Sequence, residues 1–183
     1  MSKIKIKWNS EKLLGLSAMT ISFITLIIFI YQTNLISKQN YIFILPYLSI
    51  STTDNPADDT FELNLTNNGV GPAIIESVTM IYKDKRYDVA DYNYEVYGFL
   101  VSKVPELDGI KKVSSATTER GMAIPVNTTF NVFKVMDSLD YQIFSNVFGK
   151  LMNEGLNYEV VYRSIQDERW VINGNLSGPK KLD

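Results

Sequence analysis

The 183 residues contain no histidine and no cysteine. The first absence removes the Ser-His-Asp triad, the imidazole general base and any His-ligated metal. The second removes disulfides, thiolate nucleophiles, a lipid-modified N-terminal Cys and Cys-based zinc or iron–sulfur sites. There is also no Gly-rich phosphate loop and no basic patch, and the sequence points to no cofactor. Most common catalytic constellations are excluded before any motif is sought.

Charge is missing from one long stretch. Leu13 to Ser37 carries no Asp, Glu, Lys or Arg, and its centre, Ile21 to Tyr31, reads ISFITLIIFIY. Twenty residues, Leu13–Gln32, span about 30 Å as a helix, the hydrocarbon thickness of a bilayer. A helix apolar on all faces is not the amphipathic helix of a soluble domain, and the rest of the chain is too short to wrap it. The run exceeds the roughly 7–15 residues of a signal-peptide core and leaves through Tyr31-Gln32-Thr33-Asn34 without a small-x-small cleavage site. The sequence therefore predicts an uncleaved anchor, a transmembrane helix over 13–35. Lys3, Lys5, Lys7 and Lys12 precede it and Lys38 alone follows closely, which places residues 1–12 in the cytoplasm and the remainder outside the cell membrane. Trp8, Lys12 and Tyr31 stand where interfacial anchors belong.

The remainder divides into a neck, 36–46, a folded domain, 47–176, and a flexible tail, 177–183. Residues 39–183 hold 13 Lys+Arg and 19 Asp+Glu, a net of −6. That balance argues against nucleic acid or anionic lipid as partner. Phe61, Leu63 and Leu65 alternate with Glu62, Asn64 and Thr66, and Tyr158, Val160 and Tyr162 with Glu159, Val161 and Arg163, which is the period of half-buried strands. Further strands are expected over Tyr47–Thr52, Ile74–Tyr82, Arg86–Val89, Met122–Val135 and Arg169–Asn173. Helical spacing marks Ser138–Met152, capped by Asp137 or Ser138, and more weakly Asp91–Lys103. About seven short strands with one or two helices predict a mainly β fold, an immunoglobulin-like β-sandwich behind the anchor.

Four features bear on chemistry. Asp54, Asn55, Asp58 and Asp59 match no EF-hand spacing and read as a solvated loop. Ser102-Lys103 is an adjacent Ser/Lys pair, but adjacent residues on a helix point apart, so it reads as a surface pair. Trp170 reads as core rather than as a sugar platform. The tyrosine-rich segment with Tyr87, Tyr92, Tyr94 and Tyr97 is the best candidate binding surface, with Tyr94 and Tyr97 expected to be partly exposed.

The strongest local signature is Asn67-Asn68-Gly69-Val70-Gly71-Pro72-Ala73. Asn68-Gly69 is expected to supply positive φ, Gly71 to let backbones approach, and Pro72 to fix φ as the next strand begins, making a structural corner. One apolar span, then Pro46–Ile50, then this N-x-G-x-G-P-A turn and a late Tyr-containing hairpin resemble a loosely defined group of uncharacterised bacterial single-pass membrane proteins with a β-sandwich-like domain. The resemblance implies architecture and carries no catalytic residues.

These observations lead to the expectation of a non-enzymatic interaction or sensing subunit. Its acidic domain is held near the bilayer, and its partners are the lipid bilayer and a second protein, encoded nearby. The alternatives are a membrane-tethered, carboxylate-dependent hydrolase or carbohydrate-binding domain, and a cytosol-facing effector or scaffold. Oligomeric state is not legible.

Overall fold

The computed structural model describes residues 9–182, so Trp8 and the lysines before it lie outside the described residues. The chain divides into two compact units, one ending at Ile42 and one beginning at Phe43.

The first unit is a single helix, α1, Ser10–Ile42, none of whose residues is buried. It runs on through Ser37–Asn40, into the segment expected as the neck, because nothing in that polar stretch breaks a helix; Pro46 lies beyond its end. The hydroxyls of Ser17, Thr20, Thr25 and Thr33 each donate to a carbonyl three or four residues back, at 2.8–2.9 Å. These polar groups are thereby satisfied without water. Lys12 and Tyr31 are exposed on this helix.

The second unit is mostly β, in two antiparallel sheets. Its elements are β1 (Leu48–Asn55), β2 (Thr60–Asn67), β3 (Ala73–Tyr82), β4 (Lys85–Asp88), α2 (Val96–Lys103), β5 (Val113–Ser115), β6 (Ala123–Ile124), β7 (Thr128–Val135), α3 (Ser138–Asn153), β8 (Asn157–Arg163), β9 (Arg169–Asn173) and β10 (Lys180–Lys181). The first sheet has the order β1-β2-β7-β5; the second runs β10-β9-β8-β3-β4, with β6 added to the start of β3. Alternate residues of the first sheet, among them Leu48, Phe61, Leu65 and Phe133, meet Ile75, Val78, Met80, Val160 and Tyr162 of the second in one core. A bulge between Ile75 and Ser77 shifts β3 by one residue. It explains why Ala73 and Ile75, then Val78, Met80 and Tyr82, all point inward.

The helices fill the flanks. α3 starts at Asp137, whose carboxylate accepts from Leu139 N–H, and buries Tyr141, Phe144, Val147 and Leu151 at helical spacing. Phe144 and Phe148 both pack on Phe61, with ring centroids 4.8 Å apart. α2 begins later than expected. A 3₁₀ turn at Val89–Tyr92 is cut off by Asn93 and Tyr94, both left-handed with φ of 56° and 61°, and the helix restarts at Val96. Within the segment 177–183, expected as a flexible tail, Lys180 and Lys181 pair along β9, with Val171 and Trp170 respectively; Asp183 lies outside the described residues.

Candidate functional site

The core of the β unit does not close everywhere. Between the sheets lies an apolar cleft of about 350 Å³. Ile50, Thr52, Leu63 and Leu65 line it from the first sheet, and Val78, Met80, Tyr158 and Val160 from the second. Val96 and Leu100 of α2 and Phe148 and Met152 of α3 complete the walls, and Asn157, Gly174 and Asn175 also line it. The inward face of β1 shows why it opens. Leu48 is fully buried, Ile50 is half-buried, and Thr52 and Asp54, two and four positions further, are exposed.

A sealed void of that volume would cost on the order of 8 kcal/mol, at about 24 cal/mol per Å³. That rivals the whole stability of an ordinary domain. The cleft is instead open past Thr52, Met152 and Asn175, all exposed. Its walls therefore meet water, and an apolar occupant would recover the free energy of covering them. No charged side chain lines the cleft. Its one titratable group is the Tyr158 phenol, held above its ordinary pKa of 10.0 by burial. The polar contributors are Thr52, Thr118, Asn157 and Asn175. The Asn157 side-chain oxygen accepts from Tyr158 N–H and Gly174 N–H at 2.7 and 3.0 Å, fixing that part of the wall. A side chain at Gly174 would overlap this oxygen.

Val78 and Thr118 form a partition between the cleft and a smaller polar cavity of about 180 Å³ that holds Glu76, Asp88 and Arg120. Thr118 donates to the Tyr94 carbonyl from both its backbone N–H, at 2.8 Å, and its hydroxyl, at 3.1 Å. This double bond to one oxygen braces the left-handed backbone at Tyr94.

The tyrosines named from sequence separate into three environments. Tyr97 is buried, contrary to the expectation of partial exposure; its ring packs on Phe133 and Phe144 and its hydroxyl donates to Leu107 O at 3.0 Å. Burial pushes its pKa up to about 12. Tyr87 and Tyr92 are half-buried and form, with Phe99, a cage around Lys103. The ammonium lies 3.8 Å from the Tyr87 centroid and donates to the Tyr92 hydroxyl at 3.1 Å. Only Tyr94 of the four is exposed. Ser102 turns away from Lys103 and donates to Phe99 O. Asp54 accepts from the Tyr141 hydroxyl and Asp58 from the Asn55 amide, so the acidic loop spends two carboxylates on its own structure. Trp170 is buried and stacks on Tyr162.

The Asn67–Ala73 segment is a corner where the chain passes from β2 in one sheet to β3 in the other. Its glycines are not needed for positive φ, which among glycines occurs only at Gly121 and Gly155 of the described residues. They are needed for space. A Cβ at Gly69 would overlap Leu45 O and Tyr47 N, and one at Gly71 would overlap Ile44 O. Val70 N–H and Gly71 N–H both donate to Leu45 O, at 3.0 and 3.1 Å, and Asn68 N–H to Tyr47 O at 2.8 Å. Asn68 is exposed and donates to the Ser49 hydroxyl; Pro72, half-buried, leads into β3.

Sequence reasoning missed the cleft itself, whose lining runs from Ile50 to Asn175 with no local motif. The available signal was Thr52, a polar residue in register with Leu48 and Ile50 on an inward face. The chain matches no family model, no curated protein and no solved structure.

Proposed function

We propose that this protein is a membrane-anchored, non-enzymatic binding subunit whose β unit, a variant of the immunoglobulin-like sandwich, takes a small apolar molecule between its sheets. The observation that carries the reading is the cleft: its volume lies in the range of small-molecule sites, about 300–1,000 Å³, and no ionised side chain lines it. Such walls suit a single acyl-type chain or a flat apolar ring system with a neutral polar end, met by Asn157 and Asn175. Beyond the Tyr158 phenol and the Thr52 and Thr118 hydroxyls they offer no acid, base or nucleophile. The anchor is α1, whose apolar length and self-satisfied hydroxyls suit a bilayer, with the lysine-rich start in the cytoplasm and the β unit outside. Helices α2, between β4 and β5, and α3, between β7 and β8, are additions to a plain sandwich in this reading.

The test is saturable binding of an environment-sensitive apolar dye, N-phenylnaphthylamine, to the chain from Phe43 onward, with displacement by a medium-chain fatty alcohol. Ile50→Trp and Thr52→Trp project a large ring into the cleft from an edge strand and should each weaken binding at least tenfold while the far-ultraviolet spectrum is kept. Absence of saturable binding, or binding indifferent to both variants, would overturn the proposal.

A further inference from the structure

The β unit has two unlike ends, and chain connectivity says at which one the chain enters. Phe43 follows Ile42, the last residue of that helix, directly. The Asn67 side chain donates to Gly71 O and Ile124 O, Leu48 N–H donates to the Tyr162 hydroxyl at 3.3 Å, and Ile74 pairs with Arg163. These contacts gather the β2–β3, β6–β7 and β8–β9 connections at the end where the chain arrives. Each of those connections carries one exposed branched aliphatic side chain: Val70 at 52%, Val126 at 37% and Ile165 at 55%. Phe43 and Tyr47 add two exposed aromatic rings.

The ionised groups at this end largely cancel. Arg169 pairs with Glu76 at 2.7 Å, Arg163 with Asp167, and Lys181 with Glu168. The connections at the opposite end are of another kind: Asn55-Pro56-Ala57-Asp58-Asp59 between β1 and β2, and Lys83-Asp84 between β3 and β4. Apolar loop tips with paired charges fit the interfacial layer of a bilayer, where aliphatic and aromatic side chains gain and an unpaired charge loses. Acidic tips do not.

We infer that the Phe43 end of the β unit is a membrane-docking surface, in which Val70, Val126 and Ile165 enter the headgroup–acyl boundary of the same bilayer that α1 crosses. The inference rests on the anchor reading of α1. It needs no ligand in the cleft.

The absence of native cysteine makes the test direct. Four full-length single-cysteine variants, Ile27→Cys, Val70→Cys, Ile165→Cys and Leu139→Cys, are labelled with a nitrobenzoxadiazole dye and reconstituted in phosphatidylcholine vesicles with or without spin-labelled lipid. Ile27 reports on α1, and Leu139, on the exposed face of α3 beyond the Asn55 end of the sheets, is the aqueous reference. Val70 and Ile165 are exposed, so the labels disturb no packing. The expected result is blue-shifted emission at positions 70 and 165, quenched several-fold more by headgroup-region than by mid-chain spin labels. Position 27 should be quenched most by mid-chain labels and position 139 by neither. Labels at 70 and 165 that behave like the one at 139, while 27 is quenched, would overturn the docking surface and leave the anchor standing. An unquenched label at 27 would overturn both.

Discussion

Asn67 is fully buried, and its side chain makes four hydrogen bonds to four different backbone positions. The amide oxygen accepts from Tyr47 N–H at 3.2 Å and Gly69 N–H at 3.0 Å; the amide nitrogen donates to Gly71 O at 2.8 Å and Ile124 O at 3.0 Å. It ties the segment before β1 to the corner and to β6. Replacing it with Ala leaves two donors and two acceptors without their partner. A buried group left unsatisfied costs about 1–3 kcal/mol. The low end for each of the four gives a loss of about 4 kcal/mol for Asn67→Ala.

Asn67→Asp is the sharper probe. One carboxylate oxygen can keep the two acceptor bonds, but the other must face the carbonyl oxygens of Gly71 and Ile124. The protonated acid relieves this by donating to one of them, so folding raises the new carboxyl's pKa above its unfolded value of about 3.9. A raised folded-state pKa gives stability that is complete below the unfolded pKa and lost as pH rises through the folded one. The deficit of Asn67→Asp against wild type should therefore be smaller at pH 4 than at pH 7. Urea unfolding followed by Trp170 fluorescence, in a Trp8→Phe background, measures both variants. An Ala variant within 1 kcal/mol of wild type, or an Asp deficit indifferent to pH, would refute the reasoning.

Gly71→Ala should destabilise by about 1–3 kcal/mol through overlap with Ile44, whereas Gly149→Ala, open on the surface of α3, should stabilise by about 0.5–1 kcal/mol; the same unfolding assay reads both. Tyr97→Ala should cost about 3–5 kcal/mol, as for a core aromatic, and Tyr94→Ala should stay within about 0.5 kcal/mol of wild type. Lys134 holds the Glu62 carboxyl below its ordinary range through a 2.6 Å contact, helped by Asn64. The pair's stabilisation should be full above pH 5 and fade as pH falls through and below that range, so the Lys134→Met deficit should shrink on acidification, and a Glu62 titration followed by NMR should move up in the variant. Alkaline phosphatase fused to the C-terminus should be active in a bacterial host while a green fluorescent protein fusion stays dim; the opposite pair would reverse the orientation.

What the sequence made legible was local. The alternation in β2 and β8, the stripe and cap of α3 and the apolar length of α1 each depend on neighbours a few residues apart; the strands and α3 lie within a residue or two of the expected limits, while α1 extends three residues before and seven beyond the expected 13–35. The corner was legible as a corner for the same reason. The role of its glycines was not, because what crowds Gly69 and Gly71 is the backbone of Ile44–Tyr47, more than twenty residues away. Tyr97 was misplaced by a related error. A helix counted from Asp91 puts it off the apolar stripe, but the left-handed pair Asn93-Tyr94 resets the helix at Val96 and turns Tyr97 toward Phe133 and Phe144. β10 gave no signal, since Lys180 and Lys181 have no strand preference and pair only because β9 offers an open edge.

The cleft and the apolar end belong to a level that no window of sequence contains. Ile50, Leu63, Met80, Val96, Phe148 and Tyr158 lie on six elements, and each alone is an ordinary half-buried or buried residue. Only the packing of one sheet on the other, with α2 and α3 beside them, turns them into facing walls with an opening between. Val70, Val126 and Ile165 are likewise unremarkable one at a time, since exposed aliphatic residues are common on any surface. Antiparallel pairing puts their three connections at one end and the Asp58-Asp59 and Lys83-Asp84 connections at the other. The separation of apolar from charged tips is thus a property of topology. It gives the two ends different solvents to prefer, and the apolar end is the one at which the chain enters the β unit.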